Sequence, residues 1–321
     1  MRWGILGAAK FAREWMAPAI HAAKGAELVA IATSDPAKAA GFSAFAPGMR
    51  VFDDYDALLA DPDIDAVYVP LPNHLHVDWT IKALEAGKHV LCEKPIALKA
   101  DEIDRVIAAR DKAGKLAAEA FMIVHHPQFQ RARELVQDGA IGKLAHVDAV
   151  FSYNNAGAVD NIRNRPETGG GGLPDIGVYT FGAARFVTGA DCQRVTYADL
   201  RFENGVDVFA QVAADFGDFT YGAVVSMRMQ PRQSITFHGD AGHLTLTAPF
   251  NANLYDVAQL TLETGNGVRQ VERWPAANHY VLQVEAFGAA ARGTADYACP
   301  LEFSRGTQAM MDMVFDKARN P

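Results

Sequence analysis

Over the first 120 residues, short apolar runs of strand character alternate with stretches of helical periodicity, and this alternation limits the fold more than any other feature of the chain. Residues 3–6 form an apolar run ending in Gly7, and a helix is predicted over 10–23. Residues 26–33 (AELVAIAT) read as a buried strand, after which Asp35-Pro36 opens a helix with proline in its first turn. A third strand at 65–69 is ended by Pro70 and Pro72. The helix predicted over 74–86 places Val77, Ile81 and Leu84 on one face and stops at Gly87. After a fourth strand at 89–92, a helix over 100–113 carries Ile103, Val106, Ile107 and Arg110 at i, i+3, i+4 and i+7. A fifth strand is expected at 115–120. Strands separated by helices of this length imply βαβ units and a parallel, doubly wound sheet.

From about residue 145 the pattern changes to period two. Strand-like runs at 146–153, 193–202, 206–216, 220–229, 234–238 and 243–247 are separated by turn residues such as Glu203-Asn204-Gly205 and Gly217-Asp218. Helices are predicted over 282–292 and 304–317. The fold class is therefore α/β followed by α+β, the second part an open, mostly antiparallel sheet. With 321 residues, two domains are expected, 1–121 and 122–321, with the last helix packing back on the first. Alternating Val208, Ala210, Val212 and Ala214 would leave an apolar sheet face without helical cover, which predicts a homodimer or a dimer of dimers through that face.

Hydrophobic residues make up 50% and charged residues 21%, which excludes a disordered or coiled-coil chain. A net charge of −8 argues against nucleic acid and anionic membranes as partners. Cys92, Cys192 and Cys299 are scattered, the chain opens without a charged and apolar leader, and no apolar run reaches the roughly 18 residues of a membrane span. A cytoplasmic protein is expected.

Gly7-Ala8-Ala9-Lys10-Phe11-Ala12 follows a strand and opens a helix, the context of a dinucleotide-binding turn. Gly7 suits the tight turn, and Ala9 and Ala12 are small enough for a pyrophosphate to approach the helix. At the end of the second strand stand Thr33 and Ser34, with Lys38 a turn further on. Hydroxyls beside an ammonium suit a 2′-phosphate, so NADP is expected, with NAD as the alternative should Asp35 reach the ribose. Neither His74-x-His76 nor His125-His126 has a partner at zinc-like spacing, and Asp61-x-Asp63-x-Asp65 lacks the glycine and the glutamate of a calcium loop. No metal is expected.

Three further segments sharpen the assignment. Tyr68-Val-Pro-Leu-Pro-Asn73-His74 ends the third strand, Cys92-Glu93-Lys94-Pro95 ends the fourth, and Gly169-Gly-Gly-Gly-Leu-Pro-Asp175-Ile-Gly-Val-Tyr179 lies downstream. In this order they resemble the glucose–fructose oxidoreductase/inositol dehydrogenase (Gfo/Idh/MocA) family, in its sugar dehydrogenase and dihydrodiol dehydrogenase branch. The resemblance covers essentially the whole chain. It implies an N-terminal Rossmann domain, a C-terminal open-sheet domain and a substrate lying between them. It puts the family's lysine on Lys94, its catalytic tyrosine on Tyr179 and its aspartate on Asp175. Leu71, Pro72, Asn73, His76 and Glu93, with Lys94, are expected at the cofactor, and Arg163 is expected to donate to a sugar hydroxyl. Ala9 in place of a common glycine, and Pro174, depart from the family pattern.

The chemistry suits these groups. A hydride leaving a carbinol carbon needs a base for the hydroxyl proton. Tyrosine, with an ordinary pKa of about 10, becomes one beside an ammonium. The glycines at 169–172 are expected to give a flexible, unobstructed approach to the nicotinamide, and Trp79 is expected to pack rather than to stack on a sugar. The expected activity is NAD(P)-dependent oxidation of an aldose at C1. The alternatives are a keto-sugar or dicarbonyl reductase, an aldose–aldose or aldose–ketose oxidoreductase that recycles a retained cofactor, and, more remotely, a cofactor-binding regulator without activity.

Overall fold

The computed structural model describes residues 1–320. By its internal contacts the chain divides into two units, one of residues 1–122 and 279–305, the other of residues 123–278 and 306 onward. In the first, strands β1 (Arg2–Leu6), β2 (Glu27–Ala32), β3 (Arg50–Phe52), β4 (Ala66–Val69), β5 (His89–Cys92) and β6 (Ala117–Glu119) form a sheet in the order β3-β2-β1-β4-β5-β6. Every pairing in it is parallel. Ile5, Leu6, Ile31, Val67, Tyr68, Val69, Val90 and Leu91 are all fully buried, which explains why these strands read as continuous apolar runs rather than as alternations. Three-residue β3 is too short for a periodicity to reveal it.

The crossovers carry helices α1 (Ala17–Ala22), α2 (Pro36–Ala39), α3 (Tyr55–Ala60), α4 (His76–Glu85) and α5 (Ala100–Ala113). The helical run ahead of α1 is wound as a π-helix over Ala12–Met16. Pro18 cannot donate to the carbonyl four residues back, and the winding ahead of it is correspondingly wide.

The second unit opens with α6 (Pro127–Gln137) and β7 (Leu144–Asn154), followed by α7 (Val178–Thr188). Strands β8 (Arg194–Glu203), β9 (Val206–Asp215), β10 (Thr220–Ser226), β11 (Arg228–Gly239), β12 (Gly242–Leu246), β13 (Gln259–Thr264) and β14 (Arg269–Arg273) complete a sheet ordered β14-β13-β12-β11-β7-β10-β9-β8. All its pairings are antiparallel except β10 with β7. Asn204 (φ 50°) and Gly205 (φ 83°) make the positive-φ turn that joins β8 to β9. β11 begins six residues before the predicted 234, running through Pro231 where its register against β7 shifts between Arg228 and Arg232.

One expectation is corrected here. Val208, Ala210, Val212 and Ala214 are between 0% and 4% exposed, so the apolar face of β9 is covered within the chain itself. Ala214 pairs with Tyr221 of β10, whose ring packs edge-on to Phe181 of α7 at 6.0 Å. Period two shows that a strand has an apolar face but not what covers it, and here α7 contributes to the cover. The ground for a dimer through that patch is gone.

The chain then returns to the first unit through α8 (His279–Ala291) and the opening turns of α9 (Leu301–Arg319). Phe287 of α8 is fully buried, 5.2 Å from the Trp3 ring of β1 and edge-on to Tyr297 at 5.8 Å. Glu302 and Arg305 pair with Arg110 and Asp104 of α5 at 2.8 and 2.6 Å. Among the described residues no helix is long and apolar enough to cross a membrane. Because Phe287 completes the core against β1, Phe287→Ala should lower unfolding free energy by about 3–5 kcal/mol. Chemical denaturation measures this, and a loss under about 1 kcal/mol would show that α8 is peripheral to that core.

Candidate active site

The first unit gathers its candidate residues at the carboxyl ends of its strands. Gly7, straight after β1, has φ 98° and donates its N–H to the Ala32 carbonyl at 2.8 Å. The backbone angle requires glycine, and a Cβ there would be a tight fit besides, 3.1 Å from Leu71 Cδ2 and 3.2 Å from the Tyr55 hydroxyl. Ala8 and Ala9 are half-buried, Lys10 is exposed, and Phe11 packs edge-on to Tyr280 of α8 at 5.7 Å. This is a small-residue turn leading into a helical run, the cradle a pyrophosphate needs.

Beyond β2, Thr33 is buried and its Oγ1 accepts from the Asp35 N–H at 3.2 Å. The Asp35 carboxylate is occupied locally: Oδ1 accepts from Ala37 N–H at 3.1 Å to cap α2, and Oδ2 lies 3.9 Å from Lys38 Nζ. Ser34 and Lys38 remain exposed.

The β4 and β5 ends are tied to one another. Tyr68 donates its hydroxyl to Glu93 Oε1 at 2.5 Å, and burial beside that carboxylate pushes its phenol well up. The Lys94 N–H donates to Glu93 Oε2 at 3.3 Å, and the Lys94–Pro95 peptide is cis. His76, expected at the cofactor, is turned inward. It is fully buried, with Nδ1 2.7 Å from the Pro95 carbonyl oxygen and Nε2 2.7 Å from that of Leu71, and burial holds the imidazole down to about 4. Both ring nitrogens face backbone carbonyls, and the neutral ring donates its one N–H to one of them, so His76 packs between the Leu71 and Pro95 loops. Leu71 is itself buried, beside the site of a Gly7 Cβ, whereas Pro72 and Asn73 are half-buried. Trp79 packs edge-on to Tyr55 at 4.9 Å with Lys82 Nζ 4.1 Å above its ring, a packing role as expected.

In the second unit, residues 173–177 form a π-helical turn running directly into α7, so Asp175 and Tyr179 stand on one continuous helical segment. The Asp175 carboxylate, 8% exposed, is held on both oxygens: Arg163 Nε lies 2.8 Å from Oδ1, and Tyr153 donates its hydroxyl to Oδ2 at 2.6 Å. The attraction of Asp175 raises the Arg163 pKa, while burial beside Asp175 pushes the Tyr153 phenol well up. Tyr179, 6% exposed, packs against Phe151 and Phe250, which stack on each other at 4.8 Å.

The glycines are not a loose approach. Gly170 N–H donates to the Arg165 carbonyl and Gly171 N–H to that of Arg163, both at 3.0 Å. A Cβ on Gly170 would lie 2.5 Å from the Arg163 carbonyl oxygen, and one on Gly171 would overlap Asp207 Oδ1. The run is glycine because backbone and a carboxylate occupy the places side chains would take. Tyr153 and Asp207 were not foreseen. Asp207 had one sequence signal, an acid between Val206 and Val208 in an apolar strand.

The histidine and aspartate clusters have other roles. His126 Nδ1 accepts from Gln128 N–H at 3.1 Å, capping α6. Asp61 pairs with Arg50, and Asp63 and Asp65 pair with Arg2 at 2.7 and 2.8 Å. Among the described residues no group of three or more metal-ligating side chains converges.

Comparison with known proteins supplies the family. Residues 1–121 match the model described as oxidoreductase family, NAD-binding Rossmann fold, and residues 129–245 match the GFO/IDH/MocA C-terminal domain. An uncharacterized oxidoreductase, ORF334, of Rhizobium meliloti is 39% identical over 98% of this chain and 96% of its own length. D-xylose 1-dehydrogenase (NADP(+)) 2 of Haloferax volcanii is 34% identical over 99% of this chain and 97% of its own. Among solved structures, KijD10, a 3-ketoreductase from Actinomadura kijaniata in complex with NADP and TDP-benzene, superimposes with a TM-score of 0.90 at 30% identity, covering 98% of this chain and 97% of that one.

The surroundings of Asp207 make a pH prediction. Burial pushes its carboxyl from 3.8 up to about 6, against the pull of the Leu173 and Gly172 N–H groups. A folded value above the unfolded one means that the folded state holds the proton more tightly, so this contribution to stability is full below pH 3.8 and is lost as pH rises to about 6. The loss amounts to about 3 kcal/mol. Unfolding free energies of the wild type and Asp207→Asn, measured between pH 4 and 8, should shift in the variant's favour by up to that amount as pH rises. A gap independent of pH would contradict the assignment.

Proposed function

The chain belongs to the GFO/IDH/MocA family of NAD(P)-dependent oxidoreductases, and from that membership we propose that it is an NADP-linked sugar dehydrogenase that oxidises an aldose at C1. The observation that carries this reading is the buried Asp175 carboxylate, clamped by Arg163 and Tyr153 one helical turn before Tyr179. A fixed carboxylate beside a tyrosine on one helical segment suits a polyol: the carboxylate accepts from one hydroxyl while the tyrosine takes the proton of another.

Bound NADP would supply the hydride acceptor. The small-residue turn at Gly7 to Phe11 would take its pyrophosphate, and Asn73 and Glu93 its nicotinamide ribose. Thr33, Ser34 and Lys38 would take the 2′-phosphate, a reading supported by the engagement of the Asp35 carboxylate in the α2 cap. Tyr179 removes the hydroxyl proton as the hydride departs, and Lys94 supplies the positive charge that lowers the tyrosine pKa. Arg163 holds the Asp175 carboxylate in place for the sugar. The similarity to a 3-ketoreductase favours a second reading, the same groups run in reverse on a keto sugar, with Tyr179 donating the proton.

Two measurements test these assignments. Tyr179→Phe should lower turnover by about 10²–10⁴-fold and leave the cofactor Kd unchanged. Retention of wild-type turnover would remove Tyr179 from the acid–base role. Fluorescence titration should show tighter binding of NADPH than of NADH, and Lys38→Ala should weaken NADPH by about tenfold while leaving NADH unchanged. A preference for NADH would transfer the ribose contact to Asp35.

A further inference from the structure

Asp207 is an acid that the proposed chemistry does not use, yet its surroundings are built around it. It is 3% exposed on β9, between Val206 and Val208 in sequence. Its Oδ2 accepts from the Leu173 N–H at 2.7 Å, and the Gly172 N–H also points at the carboxylate. Its Oδ1 fills the space a side chain at Gly171 would need, and Gly171 has φ 134°. A strand thus delivers one carboxylate to the start of the helical segment that carries Asp175 and Tyr179, and the glycine run is shaped to admit it.

We propose that Asp207 is the positioning residue of this site: its carboxylate anchors the first N–H groups of the π-helical turn at 173–177 and so sets the angle between Asp175 and Tyr179. π-Helical winding is rare, and it persists where the surroundings hold it. Without that acceptor the buried Leu173 N–H is left unpaired, and the turn can recover partners by rewinding toward α-helix. Rewinding rotates Asp175 relative to Tyr179 and breaks its simultaneous contacts with Arg163 and Tyr153. The role of Tyr153 follows from the same arrangement. It packs beside Val206 and Val208 and reaches Asp175, so β9 controls both the anchor and one of the two Asp175 clamps.

The effect on catalysis rests on the sugar dehydrogenase reading, whereas the anchor itself can be read without substrate. The test is Asp207→Asn. The variant keeps the shape and one acceptor but sets an NH₂ group against the remaining N–H donor. Amide exchange by mass spectrometry should show the 169–177 segment exchanging about tenfold faster or more, with the rest of the second unit unchanged. A crystal structure of the variant should show the Asp175 carboxylate displaced from Arg163 or Tyr153. Turnover should fall by about 10–100-fold while KM and cofactor Kd stay within about threefold, and thermal stability at neutral pH should not fall with it. A role confined to stability would instead move the melting temperature and leave kcat per folded molecule alone.

Unchanged exchange together with an undisplaced Asp175 overturns the proposal whatever the turnover. Faster exchange with wild-type kcat also overturns it, since the anchor would then not position the reacting groups. If the wild-type protein turns over neither aldoses nor keto sugars, the functional reading fails, and exchange and displacement still decide the anchor. If Asp207→Asn does not fold, Asp207→Glu keeps the charge but moves the carboxylate one methylene off the Leu173 N–H. It should give the same exchange and displacement signature, and a wild-type signature in that variant overturns the proposal.

Discussion

Reversal of strand order between β1 and β4 is the constraint on which the first unit depends. Chain leaving β1 and β2 turns to one side, and chain leaving β4 and β5 turns to the other, so their loops open a crevice at the carboxyl edge of the sheet. The strands beneath are buried on both faces and cannot shift register without exposing apolar surface. Loops that start from so rigid an edge start from fixed points. That is why Gly7, Thr33, Asn73 and Glu93, far apart in sequence, belong to one edge. The backbone itself is braced there: His76 spans the Leu71 and Pro95 carbonyls, and Tyr68 holds Glu93.

In the second unit the equivalent constraint is electrostatic. Ionised side chains in an apolar interior are tolerated only when paired and hydrogen-bonded. Asp175 meets that condition through Arg163 and Tyr153, and Asp207 meets it through backbone N–H groups, its raised pKa marking how little water reaches it. Each carboxylate therefore fixes the elements that satisfy it. The 161–168 loop is held through Arg163, β7 through Tyr153, and β9 through Asp207, all on the glycine run and the helical segment behind it. Close approach of these groups is what excludes side chains from Gly170 and Gly171.

Local rules made much of this legible. The alternation of apolar runs and helical faces announced the parallel sheet, and the small-residue turn after β1 announced the dinucleotide cradle. Misreadings arose where a local pattern has more than one tertiary outcome. Alternation in β9 showed an apolar face, but α7, which contributes to its cover, is a separate element with β8 between the two in the chain. His76 follows a strand end, and only the packed fold shows that its ring turns inward, between the Leu71 and Pro95 carbonyls. β13 and β14 carry little sequence signal, because Gln259, Glu263 and Arg269 dilute the alternation of Leu260 and Leu262.

Periodicity and turn chemistry are properties of neighbours along the chain, and by themselves they determined the layer architecture and the dinucleotide class of cofactor, whereas Lys94, Asp175 and Tyr179 came forward as candidates through the resemblance of three motifs to the family. The partner of each buried polar group was decided only by the tertiary structure. Nothing near residue 207 indicates that its carboxylate will face residues 171–173, and nothing near Asp35 indicates whether it will reach a ribose or cap its own helix. A buried charge is satisfied by whatever donor the packed fold brings within hydrogen-bonding distance, and that distance is set by the whole sheet rather than by the residues on either side.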